Sequence, residues 1–233
     1  MKITLLVPTL NEITGMKEIM PKVKKEWVDQ ILVLDGGSTD GTIEYAKEQG
    51  YQVYVQKEKG LRKGYMEAYP LIEGDVIVTF SPDGNSIPEL IPPLIEKMKE
   101  GYDMVIVSRY KDNAKSDDDD IITGFGNWMF TSLVNVLYGS DYTDAMVIYR
   151  AYKKDLIKSL DLDKDETYTP EKWFCTNVSW EPILSVRCVK RGLKIAEIGG
   201  DEPPRLGGKR KLQVIRWGST FLAQFIREKF YWK

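Results

Sequence analysis

The sequence predicts an α/β fold, a mostly parallel, Rossmann-like sheet with helices on both faces, and three observations predict it. Short apolar runs recur at Ile3–Val7, Ile31–Leu34, Val76–Phe80 and Met104–Val107 without polar alternation, so each reads as a strand buried on both faces. Segments with helical spacing lie between the runs, an order that favours parallel strands joined by right-handed crossovers. Oxygen-bearing side chains cluster directly after several runs, where an open α/β sheet meets its ligands.

Ile3–Val7 gives way to the polar loop Pro8-Thr9-Leu10-Asn11-Glu12, and helical spacing returns around Ile19–Trp27. Ile31–Leu34 ends at Asp35-Gly36-Gly37-Ser38-Thr39-Asp40-Gly41-Thr42, followed by a helix through Ile43–Lys47 with Gly50 as its stop and a third strand at Gln52–Val55. The glycines at 36, 37 and 41 mark a sharp turn or a close approach to a ligand, but neither a dinucleotide fingerprint nor a P-loop is present. Asp35 can accept from a base N–H or a ribose hydroxyl, or can cap its own turn, while Asp40 reads as a cap. Lys57–Lys63 is a basic loop that could face a diphosphate through Lys63, although most charge runs are solvated surface.

The fourth run stops at Ser81-Pro82-Asp83-Gly84-Asn85-Ser86. Two oxygen donors at 83 and 85 on an extended turn point the same way and suit Mg²⁺ or Mn²⁺; an ordinary turn into a helix is the alternative, since Ser86 to Glu89 has capping-box spacing. A helix at Leu90–Lys99 stops at Gly101, and Met104–Val107 delivers Ser108-Arg109-Tyr110 to the same edge as Asp83, an arginine placed as a phosphate fork. Lys111–Asp120 ends in four consecutive aspartates and reads as a self-repelling, mobile loop. Phe125–Tyr138 is an aromatic-rich helix that packs on the sheet or faces a greasy acceptor, Met146–Arg150 a strand, Lys153–Leu160 and Glu181–Arg191 helical, and Lys194–Ile198 a strand. A basic stretch, Arg205–Leu212, leads into an apolar-striped helix at Val214–Phe230.

With 233 residues and 42% hydrophobic content the chain can bury a core as one large domain, and a formal net charge of −2 gives no electrostatic case for nucleic acid. Histidine is absent, which excludes Ser-His-Asp and Cys-His catalysis and histidine-bound zinc. Cys175 and Cys188 fit no metal spacing or disulfide framework and read as small, at least partly buried residues. No apolar run approaches the roughly 18 residues that span a bilayer, so the expectation is a cytoplasmic protein, or one peripheral on the inner face of the membrane.

These blocks, in this order, resemble family 2 glycosyltransferases of the GT-A fold, and among them the dolichyl- and polyprenyl-phosphate sugar synthases. Pro8–Glu12 resembles the family's Pro-x-x-Asn-Glu loop, Asp35–Thr42 its Asp-Asp-Gly-Ser-x-Asp-Gly-Thr block, Ser81–Glu89 its Asp-x-Asp block and Val107–Tyr110 its Gly-Ser-Arg-Tyr/Phe block. Asp144–Arg150 and Arg205–Leu212 resemble its Asp-x-x-Ser-Gly-Phe-Arg and Arg-x-x-Gly-x-Ser-Lys-Leu blocks. The resemblance implies one GT-A domain, with residues 1–110 binding a GDP- or UDP-sugar and 111–233 facing the acceptor. It implies donor binding by Pro8, Thr9, Glu12, Asp35, Lys63, Ser81, Pro82, Asp83 and Arg109, and a divalent metal at Asp83 and Asn85. Arg150, Arg205 and Lys211 would neutralise phosphate, and Asp144 and Glu181 would lie near the acceptor.

The implied reaction is an inverting displacement in which a divalent ion stabilises charge on the departing diphosphate. A hydroxyl acceptor needs a base, for which Asp144 or Glu181 is the candidate; a lipid phosphate needs none. The motif set favours a polyprenyl phosphate. The altered acceptor block Val147-Ile148-Tyr149 favours a saccharide hydroxyl, and Ser81 and Gly36, which replace family aspartates, leave a non-catalytic nucleotide-sugar binder as the alternative. The basic cluster and the last helix suit an anionic membrane surface, and the helix's apolar stripe equally suits the sheet or a second copy in a homodimer.

Overall fold

A computed structural model describes residues 1–207 and 213–232. Among these residues, seven strands form one sheet: β1 (Ile3–Thr9), β2 (Gln30–Asp35), β3 (Gln52–Val55), β4 (Val76–Thr79), β5 (Met104–Ser108), β6 (Arg150–Lys153) and β7 (Ile195–Gly199). Their order is β3-β2-β1-β4-β6-β5-β7, and β6 runs antiparallel to both its neighbours while every other pairing is parallel. The mostly parallel sheet is therefore as expected. The chain winds outward from β1 through β2 to β3, then returns to lay β4 on the other side of β1, so the order reverses between β1 and β4. Such a reversal opens a crevice beyond the strands' carboxyl ends.

Alternation along each strand divides the core into two layers. Leu6, Leu34, Ile77 and Ile106 face one side with Tyr65 of α3 (Leu61–Ala68), Phe130 of α5 (Ile121–Tyr138), Leu184 of α8 (Glu181–Lys190) and Phe225 of α9 (Val214–Tyr231). Leu5, Val7, Val78 and Val105 face the other with Met16 of α1 (Ile13–Ile19), Ala46 of α2 (Thr42–Glu48) and Leu94 of α4 (Ile91–Lys99). Two short helices, α6 (Leu156–Ser159) and α7 (Thr169–Trp173), complete the first layer's rim.

Four expectations need correction. The first helix lies at Ile13–Ile19, and Ile19–Trp27 breaks into two 3₁₀ turns because Pro21 interrupts it. Strand β6 starts only at Arg150, so Met146–Tyr149 is irregular chain that reaches a cavity and touches the sheet only at its end, where the Tyr149 carbonyl accepts from the Val107 amide and the Ile148 carbonyl from the Thr79 hydroxyl. The aspartate run is tied down: Asp120 caps α5 in a capping box, Asp119 accepts from Tyr110 and Asn127, and the Asp117 amide donates to the Glu202 carbonyl. Cys188 is buried as expected, but Cys175 is exposed.

Helices α5 and α9 lie side by side and run the same way, with Phe130 against Phe221 at their middles and the Tyr138 hydroxyl donating to the Phe225 carbonyl farther along. Their uncovered faces carry Ile121 (92% exposed), Phe125 and Trp128 on α5, and Ile215, Ile226 and Phe230 on α9. Among the described residues, no helix is long and apolar enough to cross a membrane.

Candidate active site

A cavity of about 720 Å³ opens at the carboxyl ends of β1, β2, β4 and β5. Pro8, Thr9, Glu12, Ser81, Asp83 and Asn85 line its sheet side, and Arg109 and Arg205 also reach it. The opposite side is apolar, formed by Ile122, Phe130, Val147, Val214, Trp217 and Phe221 of α5, α9 and the chain before β6. Two glycines allow the close packing that shapes the sheet side. A Cβ on Gly15 of α1 would stand 2.1 Å from the Pro82 carbonyl oxygen, and one on Gly84, at φ +98°, would stand 2.7 Å from Leu206. Pro82 is thus buried beneath α1 and does not line the cavity.

Asp83 is 5% exposed and its Oδ2 lies 2.8 Å from Nη1 of Arg205, which also stands 3.7 Å from Glu12. Asp83 Oδ1 accepts from the Asn85 amide at 3.2 Å, and Asn85 Oδ1 is buried with no hydrogen-bond partner. An orphaned amide oxygen beside a carboxylate fits a hard divalent cation. No group of three or more acidic or thiol ligands is assembled among the described residues, so a cation here would take most of its shell from substrate phosphates and water, as Mg²⁺ does in phosphate-handling sites.

Arg109 is not a free fork. It donates through Nε (2.6 Å) and Nη2 (3.0 Å) to the fully buried Asp144, with Glu202 at 3.4 Å and Asp119 at 4.0 Å. Burial opposes its charge, and the neighbouring charges of Asp144 and Glu202 overturn that and raise its pKa well above the arginine value. Asp144 is consumed by this ion pair and does not line the cavity. Glu181 is fully buried and also off the cavity, and burial pushes its carboxyl pKa up against the opposing charge of Arg150. Neither residue is presented as a base.

Arg150 is likewise corrected. Its guanidinium lies in the core, donating to the carbonyls of Val147, Ala145 and Glu181 and to Ser185 Oγ, which leaves nothing for a phosphate, and burial lowers its pKa. Asp35 caps its own loop: it accepts from the amides of Gly37 (2.8 Å) and Ser38 (2.6 Å) and the hydroxyls of Thr9 and Ser38, while Gly36 takes the place on the cavity wall. Lys63 pairs with Asp165 at 2.8 Å away from the cavity, and Lys59 of the same basic loop lines it instead. Lys211 lies outside the described residues.

Sequence reasoning missed Glu202, Gln56 and Trp217 as lining residues. Trp217 was signalled by its place on an aromatic helix, but nothing local marks Glu202, which is brought in by an isolated bridge between its backbone and Ser116.

Comparison with known sequences identifies the chain. The sequence model of glycosyl transferase family 2 matches residues 4–161. The protein belongs to this family. As a family 2 glycosyltransferase it is 27% identical to glycosyltransferase AglJ of Haloferax volcanii, over 97% of this chain and 71% of that protein. It is 26% identical to an undecaprenyl-phosphate mannosyltransferase of Micrococcus luteus over 94% of each, and 29% identical to a dolichol-phosphate mannosyltransferase of Pyrococcus furiosus, of whose length it spans 49%. Glucosyl-3-phosphoglycerate synthase of Mycobacterium tuberculosis, solved with Mn²⁺, UDP and glucosyl-3-phosphoglycerate, shares its GT-A fold with a TM-score of 0.70 at 21% identity, over 98% of this chain and 79% of that one. The resemblance to polyprenyl-phosphate sugar synthases read from the motifs is therefore matched by the relatives.

Proposed function

We propose that this glycosyltransferase moves a sugar from a UDP- or GDP-sugar to a polyprenyl phosphate in one displacement that inverts the anomeric centre. The observation that carries the reading is the cavity's division into a wall of strand-end oxygens and an apolar wall from α5 and α9, one suited to a nucleotide and the other to a hydrocarbon chain bearing the acceptor. The relatives that use undecaprenyl and dolichol phosphates support it. Residues 1–110 then serve the donor and 111–233 the acceptor.

The nucleoside rests against Pro8, Thr9 and Gly36, a wall made largely of backbone because Asp35 is turned into its loop. Asp83 and Asn85 would hold Mg²⁺ or Mn²⁺, which when bound supplies Lewis-acid stabilisation to the charge developing on the departing diphosphate. Arg205, with Lys211, meets the acceptor phosphate, which is already ionised and needs no base; the withdrawal of Asp144 and Glu181 from the cavity accords with that. The uncovered apolar faces of α5 and α9 suit peripheral contact with the cytoplasmic face of a membrane, where such an acceptor resides.

Incubation with labelled UDP- and GDP-sugars, Mn²⁺ and a short polyprenyl phosphate tests the reading: label should pass into a butanol-extractable product whose anomeric configuration, read by NMR, is opposite to the donor's. Donor binding without transfer to this acceptor would refute it. A saccharide hydroxyl is the second reading, and Glu202 favours it, since it lines the cavity and burial raises its carboxyl pKa toward that of a usable base. Transfer to a saccharide but not to the lipid phosphate would select it.

A further inference from the structure

We propose that Arg205 and a divalent cation compete for the carboxylate of Asp83, so that arrival of the metal with the donor releases Arg205 to the acceptor phosphate. The inference rests on the reading that Asp83 holds a cation.

The chain contains buried arginines whose bonding is complete, and Arg205 differs from them. Arg187 grips Glu228 with Nε (2.9 Å) and Nη2 (2.8 Å) while Nη1 donates to the Leu160 carbonyl, and Arg150 uses all three of its nitrogens. Among the described residues, Arg205 meets Asp83 in an Nη1 contact and not in a bidentate hydrogen-bonded fork, and its Nε is buried with no hydrogen-bond partner. A single contact is the cheapest kind of arginine pairing to exchange, because a bidentate fork must break two bonds at once.

The backbone under the side chain is better anchored than the side chain. The Leu206 amide donates to the Asp83 carbonyl at 2.7 Å, and Gly84 lets Leu206 come close. Rotation about the side-chain bonds can therefore carry the guanidinium off Asp83 while the chain at 205–206 stays in place.

Charge makes the two occupants exclusive. Asp83 and Arg205 are opposite charges 2.8 Å apart and already balance as a pair. A divalent ion on the same oxygen would leave an excess of positive charge within a few ångströms, and repulsion at that range is strong in a partly buried site. The donor's diphosphate supplies the missing negative charge, so the cation should bind well only in its company, and the displaced guanidinium is left with unused donors next to the acceptor's side of the cavity.

The test is Mn²⁺ titration without nucleotide, followed by the EPR signal of the free ion, on wild type, Arg205→Gln, Arg205→Lys and Asp83→Asn, with melting curves confirming that each is folded. Arg205→Gln should bind Mn²⁺ about tenfold more tightly than wild type, the scale of one lost charge-assisted contact, whereas Arg205→Lys, which keeps the charge, should stay within about threefold. Asp83→Asn should lose binding. Mn²⁺ binding that depends on Asp83 but is unchanged or weakened in Arg205→Gln overturns the competition and leaves the metal reading standing. Binding indifferent to Asp83, or absent in every form even after UDP is added, overturns both.

Discussion

The cavity's two walls are built on opposite terms. On the sheet side, polar groups that end the strands spend most of their bonding on one another: Asp35 closes its own loop, Asp40 caps Thr42 and Ile13, and Asp83 is held by Arg205. On the helical side, α5 carries no charged residue along its whole length and packs through Phe130 on Phe221 and Phe225 of α9. The difference teaches that the sheet wall is pre-organised for a small polar ligand by hydrogen bonds it already makes, while the helical wall is held by packing and offers only shape and apolar surface.

Four measurements would break or sharpen that contrast. The largest effect is expected at the sheet wall: Asp83→Ala should lower donor consumption with Mn²⁺ about 10³-fold, the several kcal/mol of charge stabilisation that loss of the proposed metal anchor would remove. Residual turnover near wild type would mean that this wall does not hold the reacting diphosphate. Next comes the buried pair between the walls. Asp144→Ala leaves Arg109 charged in the interior with Glu202 and Asp119 as its remaining carboxylate partners among the described residues, so urea denaturation should show a loss of about 3 kcal/mol. On the apolar wall, Trp217→Ala should raise KM for a long polyprenyl phosphate about tenfold while leaving KM for the nucleotide-sugar within twofold, the loss of one buried aromatic contact. Equal effects on both substrates would erase the division of labour.

The smallest effect belongs to Glu181, which sits behind both walls. Its folded-state pKa is raised, first by burial, so its contribution to stability is present below the unfolded carboxylate pKa and lost as pH rises through the folded value. Glu181→Gln should therefore match wild type in melting temperature at acidic pH and melt higher at neutral pH. A variant that melts lower at neutral pH would show that the charged form is the one the fold prefers.

The sheet wall was legible because its signals are local. An apolar run followed by Pro8–Glu12 or Ser81–Ser86 places polar groups at a strand end whatever the rest of the chain does, and Asp83 and Asn85 indeed line the cavity. What stayed hidden was partnership. Nothing near Asp144 in sequence says that Arg109 will occupy it, and Arg150 reads as a phosphate ligand until Val147, Ala145 and Glu181 are seen to present their carbonyls to it. The start of β6 was misplaced by four residues for a related reason, as Met146–Tyr149 has strand-like composition but is drawn to the cavity by tertiary packing.

The reversed strand has a geometric consequence. Because β6 is inserted between β4 and β5, the ends carrying Asp83 and Arg109 are separated by two inter-strand steps, about 9.5 Å. A uniformly parallel sheet would fill that interval with a third loop rising beside them; here the intervening strand descends, so only its entry, the stretch through Tyr149, crosses the gap. That entry ties the two strand ends together: the Tyr149 carbonyl accepts from the Val107 amide of β5, and its ring stands edge-on to Phe80 just past the end of β4, so the direction of one strand decides what braces the floor beneath Asp83 and Arg109.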